Sequence, residues 1–289
     1  MRETMDTHSV LMLLKDAAMK AGDELMRRFG SAGPLQGGGA RSDMKTDADA
    51  ACNDVIIKTL LEGWFSHSQN PAAVIADELG EARIARKNAD GYALEDFSGE
   101  IAEWDGPCFA VDSLCGSITY ARGVRDFCVS IAYLDGCALQ AAVVYDPAHV
   151  ELFHAAAGLG AYLNGKTIRV SGADDLTKAY VSIGHRALRT ADGQALRALT
   201  SQAMRLRTGA TCGLELCYAA CGRIDAAIKK TQAFYDYAAG LLIAHEAGAS
   251  VTDFKGRDNA EITALGERKS LVAACPALAG ELLKTTRQL

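Results

Sequence analysis

The chain has 289 residues, 49% of them hydrophobic, and a formal net charge of −6 from 30 basic and 36 acidic side chains. That length and apolar share suit one large domain or two tightly joined halves, and no run approaches the roughly eighteen uninterrupted apolar residues of a membrane span. The acidic balance and dispersed basic residues argue against a nucleic-acid-binding surface, and without a signal-peptide pattern at the N-terminus the default location is cytoplasmic.

Apolar residues at helical spacing run from Val10 through Leu13, Leu14, Ala17, Ala21 and Leu25 to Phe29, and predict an amphipathic helix over 7–29 that stops at Gly30. The stretch 30–41, with Gly37-Gly38-Gly39, is too rich in glycine for regular structure and reads as a mobile surface loop. A second helix is predicted over 48–63, opening near Asp49. Residues 82–106 are polar and irregular, and read as a loop or insertion ahead of a strand at 108–112. Asp135-Gly136 marks a tight turn between two strand-like runs, because Asp-Gly tolerates positive φ, and a further hairpin is predicted at 150–163. Helices follow at 194–204, 212–222, 236–247 and 276–286, with strands at 224–228, 250–253 and 270–273. There are no internal repeats, and these patterns alone give a mixed α and β fold class.

Nine cysteines, scattered without C-x-x-C pairs, indicate neither a disulfide framework nor a zinc cluster, and most read as small core residues. The histidines show no metal-ligand spacing; His245 and Glu246 read as structural parts of a helix. Three acids near strand or helix ends, Glu78, Asp112 and Asp236, invite a different reading. Their spacing alone does not show that they converge. Were they to do so, hard divalent ions on oxygen ligands would neutralise a phosphoryl group, activate a water and stabilise a leaving alkoxide.

Four ordered motifs give those acids a context. Residues 43–55 hold a threonine followed three residues later by Asp49 at a helix start. Residues 74–81 form an acidic turn whose second acid is Glu78. Residues 109–120, Phe-Ala-Val-Asp-Ser-Leu-Cys-Gly-Ser-Ile-Thr-Tyr, carry Asp112, Gly116, Ser117 and Tyr120. Residues 234–248 carry Asp236 after an aromatic, on a helix running into Glu-Ala-Gly. In this order the motifs resemble the signatures of the inositol monophosphatase family along the whole chain, with Ser113 in place of a proline and Cys115 in place of a second aspartate.

The resemblance implies a layered αβαβα sandwich, a single domain over 1–289 with an α+β half (1–170) and an α/β half (171–289). It implies a first Mg2+ held by Glu78, Asp112, the Leu114 carbonyl and the Ser117 hydroxyl, with Ser117 and Asp49 orienting and deprotonating a water. A second ion would lie between Asp112, Asp236 and residue 115, where Cys115 removes a hard anionic ligand. Three readings of Cys115 stay open: a degenerate position leaving a weak or inactive phosphatase, a thiolate ligand for Mn2+ or Zn2+, or a changed one-metal reaction.

The family's substrate pocket places Gly116, Ser117 and Thr211 near the ligand. An acid that contacts inositol there aligns with Lys229, a charge reversal that argues against plain inositol monophosphate. Lys229, Lys230, Arg207, Arg186 and His185 are candidates to receive a second anionic group, although each taken singly is more often an ordinary solvated side chain. Trp104 is a candidate border of the cleft. The expected function is a metal-dependent phosphomonoesterase acting on a small phosphorylated metabolite of sugar, cyclitol or nucleotide type, as a homodimer and with no nucleic acid or membrane partner. The rival is a catalytically silent phosphometabolite-binding or regulatory protein.

Overall fold

The computed structural model describes residues 5–31, 45–79, 82–97, 100–190 and 193–287; the Gly37-Gly38-Gly39 segment and Arg41 lie outside them. Helix α1 (Thr7–Arg28) starts where the Asp6 carboxylate accepts from the Ser9 amide at 3.0 Å. Helix α2 (Asp47–His67) starts at Thr46, whose backbone amide donates to Asp49 in a capping box. The apolar stripes of both helices, including Leu14, Leu25, Ile56, Leu60 and Trp64, are fully buried against one face of a nine-stranded sheet. Burying each such side chain contributes about 1.5–3 kcal/mol.

That sheet is built from β1 (Ala72–Ala76), β2 (Arg83–Asn88), β3 (Gly91–Asp96), β4 (Pro107–Cys115), β5 (Cys128–Asp135), β6 (Ala138–Asp146), β7 (Glu151–Ala156), β8 (Ala161–Leu163) and β9 (Lys166–Thr167), in the order β3-β2-β1-β4-β5-β6-β7-β8-β9. Its β1–β4 pair is parallel and its other pairings are antiparallel. The second sheet runs β11 (Arg205–Arg207), β10 (Tyr180–Ile183), β12 (Ala226–Gln232), β14 (Lys269–Ala274), β13 (Ser250–Thr252). Between the sheets lie α6 (Cys212–Ala220) and α7 (Phe234–Glu246), packed on each other and on both inner faces. Helices α4 (His185–Thr190), α5 (Gly193–Gln202) and α8 (Pro276–Thr286) cover the outer face of the smaller sheet. Counted across, the layers are α, β, α, β, α.

Within the predicted loop at 82–106, residues 83–96 hold regular structure. They form the β2–β3 hairpin, in which Asn88 pairs with Gly91 across an Ala89-Asp90 turn and Gly91 has φ 120°. The strands lie at the sheet edge and are largely solvated, so apolar alternation is absent. Cross-strand charges take its place: Arg83 bonds Asp96 directly opposite, and Arg86 Nε lies 3.2 Å from Glu95. Strand β12 also runs four residues past the predicted end at 228, which carries Lys229 inside a central strand.

A β-bulge decides the geometry of the site. On β4, Asp112 pairs with Ser130 and Cys115 with Cys128, three residues against two. In a regular strand, residues three apart face opposite sides. The extra residue resets that parity, so Asp112 and Cys115 both face α7, while Leu114 turns into the core beneath α1 and α2. Gly116 follows with φ 102° and opens the short helix α3 (Ser117–Ala121). A Cβ at Gly116 would stand 2.7 Å from the Asp126 carbonyl, so both conformation and space require glycine.

Candidate active site

The site gathers at the C-terminal ends of β1 and β4 and the N-terminal ends of α2 and α7. Asp49, third residue of α2, is 1% exposed and binds in two directions. Its Oδ2 accepts from the Thr46 amide at 2.6 Å and the Thr46 hydroxyl at 2.7 Å. Its Oδ1 accepts from Ser117 Oγ at 2.6 Å. The Ser117 hydroxyl also lies 3.1 Å from the Leu114 carbonyl. Burial raises the Asp49 carboxyl above its ordinary range, with the Ser117 and Thr46 bonds pulling the other way. Asp49 and Ser117, sixty-eight residues apart in sequence, form a hydroxyl–carboxylate pair.

Asp112 is 4% exposed, and its carboxyl is pushed well above the usual range by burial first, then by Cys115, Asp236 and Asp77. Asp236 lies in the first turn of α7, where its Oδ2 accepts from the Ala233 amide at 3.0 Å. Asp77 and Glu78 form a single 3₁₀ turn after β1. Tyr235, on the first turn of α7, hydrogen-bonds Asp77; burial and the neighbouring Asp77, Asp236 and Asp112 push its phenol up. Asp236 and Asp77 thus both act on Asp112, whereas Glu78 meets Lys45, Asp49 and Asp77.

Sequence reasoning missed the cation among them. Lys45 Nζ stands 2.9 Å from Glu78 Oε1 and 3.4 Å from Asp77 Oδ2, and donates to the Asp77 carbonyl at 2.8 Å. Burial pulls the Lys45 ammonium down, but Glu78 and Asp77 more than offset this and raise it. Glu78 is itself raised, chiefly by burial, against the opposing pull of Lys45. Lys45 lies inside the first motif, so its charge was in view; its reach across to residue 78 was not.

Cys115 is 7% exposed. Its thiol is pushed well up, first by its hydrogen bond with Cys128 and then by burial. It packs on its cross-strand neighbour Cys128. Three carboxylates and the Leu114 carbonyl are hard oxygen donors, a chemistry that suits one Mg2+. The second ion's donor set does not fit Mg2+, because a soft sulfur stands in place of a hard carboxylate oxygen. As they stand, no three His, Cys, Asp or Glu side chains among the described residues are grouped to hold an ion.

The expected substrate cations are differently employed. Lys229 is 2% exposed and donates to the Thr211 carbonyl at 2.9 Å, so its charge is used internally. The extension of β12 buries it, so the Lys229 expected to receive an anionic group lies inside the protein. Glu215, fully buried on α6, pairs with Arg207 at 3.1 Å and is also attracted by Lys229. Arg207 thus serves Glu215 and stacks over Tyr218, 5.7 Å from the ring centroid. Thr211 is buried and its Cγ2 lies near Gly116. His185 is exposed at the start of α4, and Arg186 donates to the Thr231 carbonyl at 2.8 Å. Glu246 accepts from the Gly158 and Gly160 amides, both at 2.8 Å, a packing role. Beside Tyr235 opens a cavity of about 400 Å³ lined by Ile75, Phe97, Ile101, Phe234 and Arg268. Trp104 supports it from behind, edge-on to Phe97 and bonded to the Pro107 carbonyl at 3.0 Å.

The model of the inositol monophosphatase family matches residues 6–289. The chain belongs to that family. It is 36% identical over 189 residues, 63% of this chain and 69% of the relative, to the Nus factor SuhB of Xylella fastidiosa. It is 32% identical over 249 residues, 84% of this chain and 86% of the relative, to inositol monophosphatase 2 of Solanum lycopersicum. Among solved structures, the extragenic suppressor protein suhB of Bartonella henselae superposes with a TM-score of 0.77 at 26% identity, covering 96% of this chain and 98% of that one. The family is one of phosphomonoesterases, typically Mg2+-dependent, that bind phosphorylated metabolites. No described helix is long and apolar enough to cross a membrane.

Proposed function

We propose that this chain is a phosphomonoesterase acting on a small phosphorylated metabolite of sugar, cyclitol or nucleotide type, with turnover limited at the leaving group. The observation that carries the reading is the 2.6 Å bond from Ser117 Oγ to Asp49 Oδ1. A water held by the Ser117 oxygen passes its proton to that oxygen as Ser117 passes its own to Asp49, and the hydroxide attacks phosphorus. Burial makes Asp49 a stronger base than a surface aspartate. Glu78, Asp112, Asp236 and the Leu114 carbonyl would hold one Mg2+ or Mn2+, which when bound neutralises the phosphoryl oxygens. The departing alkoxide takes its proton from solvent, and Cys115 leaves that side without the carboxylate that would hold a second ion against it. The cavity beside Tyr235 offers room for the organic body, with Arg268 as a positive wall. The same reading treats the chain as one domain and a cytoplasmic homodimer.

A second reading has a specific observation in its favour. Cys115 removes a ligand, and relatives matching the chain include proteins named Nus factor SuhB beside inositol monophosphatases. A family member that binds a phosphorylated ligand without hydrolysing it fits both facts. Phosphate release from a panel of sugar, inositol and nucleoside monophosphates separates the two. Turnover by the native protein that falls about 100-fold or more in Ser117→Ala supports hydrolysis. A ligand-induced rise in melting temperature with no phosphate released from any ester supports the silent binder.

A further inference from the structure

Lys45 is placed by the same elements that place the hydrolytic pair. It precedes Thr46, the cap of α2, and Thr46 is held by Asp49, which Ser117 binds in turn. From that fixed root its side chain crosses to the turn after β1. There its ammonium donates to the Asp77 carbonyl at 2.8 Å and forms ion pairs with Glu78 Oε1 at 2.9 Å and Asp77 Oδ2 at 3.4 Å. The Lys45 side chain is only 34% exposed and that of Glu78 14%, so this is a pair at the cleft wall rather than a solvated surface contact. Glu78 is also the acid that the one-ion donor set requires on this side.

We propose that Lys45 is a built-in counter-cation that competes with a divalent ion for Glu78, so that the native protein binds divalent ions more weakly than the same fold with a neutral side chain at position 45. The inference rests on Glu78 facing the ion, and not on turnover. An ion arriving at Glu78 must first displace the ammonium or share the carboxylate with it at close range, and two cations near one acid repel. The cleft is therefore charge-balanced at its β1 end by the chain itself. Neutralising Lys45 removes the competitor while leaving every oxygen donor in place.

The test is Mn2+ binding to the full chain, read from the electron paramagnetic resonance signal of free Mn2+, for the native protein, Lys45→Arg, Lys45→Met and Lys45→Gln. Thermal melts in chelator establish that each variant is folded, and the two neutral variants back each other up should one fail to fold. The expected result is about tenfold or greater tightening in Lys45→Met and Lys45→Gln, with Lys45→Arg close to native. Adding Glu78→Gln to Lys45→Met should abolish the gain. Equal affinity in all four proteins, or weaker binding in the neutral variants, overturns the proposal. Because the readout is binding, a protein that hydrolyses nothing still decides the matter.

Discussion

Replacing Cys115 by aspartate tests whether the β4 bulge and α7 bring the acids together. In Cys115→Asp a new carboxyl enters a position 7% exposed, on the same side as Asp112 and facing the first turn of α7. Two like charges some 4–6 Å apart repel by about 3–4 kcal/mol at an effective dielectric of 20. Protonation caps that cost, because keeping a carboxyl neutral at pH 7 costs about 4 kcal/mol. A loss of about 2–4 kcal/mol in chelator follows, which at this chain length lowers Tm by about 4–16 °C. Divalent ions should reverse it, since an ion at a hundred times its Kd returns about 2.7 kcal/mol. The assay is a thermal melt of native, Cys115→Asp and Cys115→Ser proteins, each in chelator and with Mg2+ or Mn2+. Only the aspartate variant should show a large ion-dependent rise. If it melts like the native protein in chelator and gains nothing beyond the native response from either ion, the acids do not share a site and the argument from the bulge fails.

Two further outcomes follow from other buried groups. Arg207→Met leaves Glu215 in the core with Lys229 as its remaining cation; urea unfolding should show a loss of about 2–3 kcal/mol, below the 3–5 of a fully buried pair because the Arg207 side chain is 28% exposed. Adding Glu215→Gln should recover much of it. His154, stacked on Tyr162 with ring centroids 5.2 Å apart, is held down to about 4 by burial and then by Lys15. A histidine depressed in the folded state is protonated first in the unfolded chain, so it contributes stability above pH 6.5 that is lost as pH falls through about 4. His154→Phe should flatten the acid limb of the stability curve between those values, and an unchanged limb would refute the assignment.

Much of this protein is written in short-range pattern. Helical periodicity placed α1, capping chemistry at Thr46 and Asp49 opened α2, and Asp135-Gly136 turned a hairpin, because each depends on residues a few positions apart. The four motifs carried Asp49, Glu78, Asp112, Ser117 and Asp236 in order. Pattern failed where solvent, not a core, pairs with the chain: the β2–β3 edge hairpin is held by Arg83–Asp96 and Arg86–Glu95 and so shows no apolar alternation. What only tertiary structure decided are contacts across many residues and the reset of parity at one bulge. Spacing alone puts Asp112 and Cys115 on opposite faces, yet the extra residue against Ser130 and Cys128 turns them to one side. Nothing local to Lys45 announces that its ammonium ends 2.9 Å from Glu78, or that Lys229 is buried against the Thr211 carbonyl. A charge in a sequence has a sign; only the packing of two sheets around α6 and α7 gives it a partner.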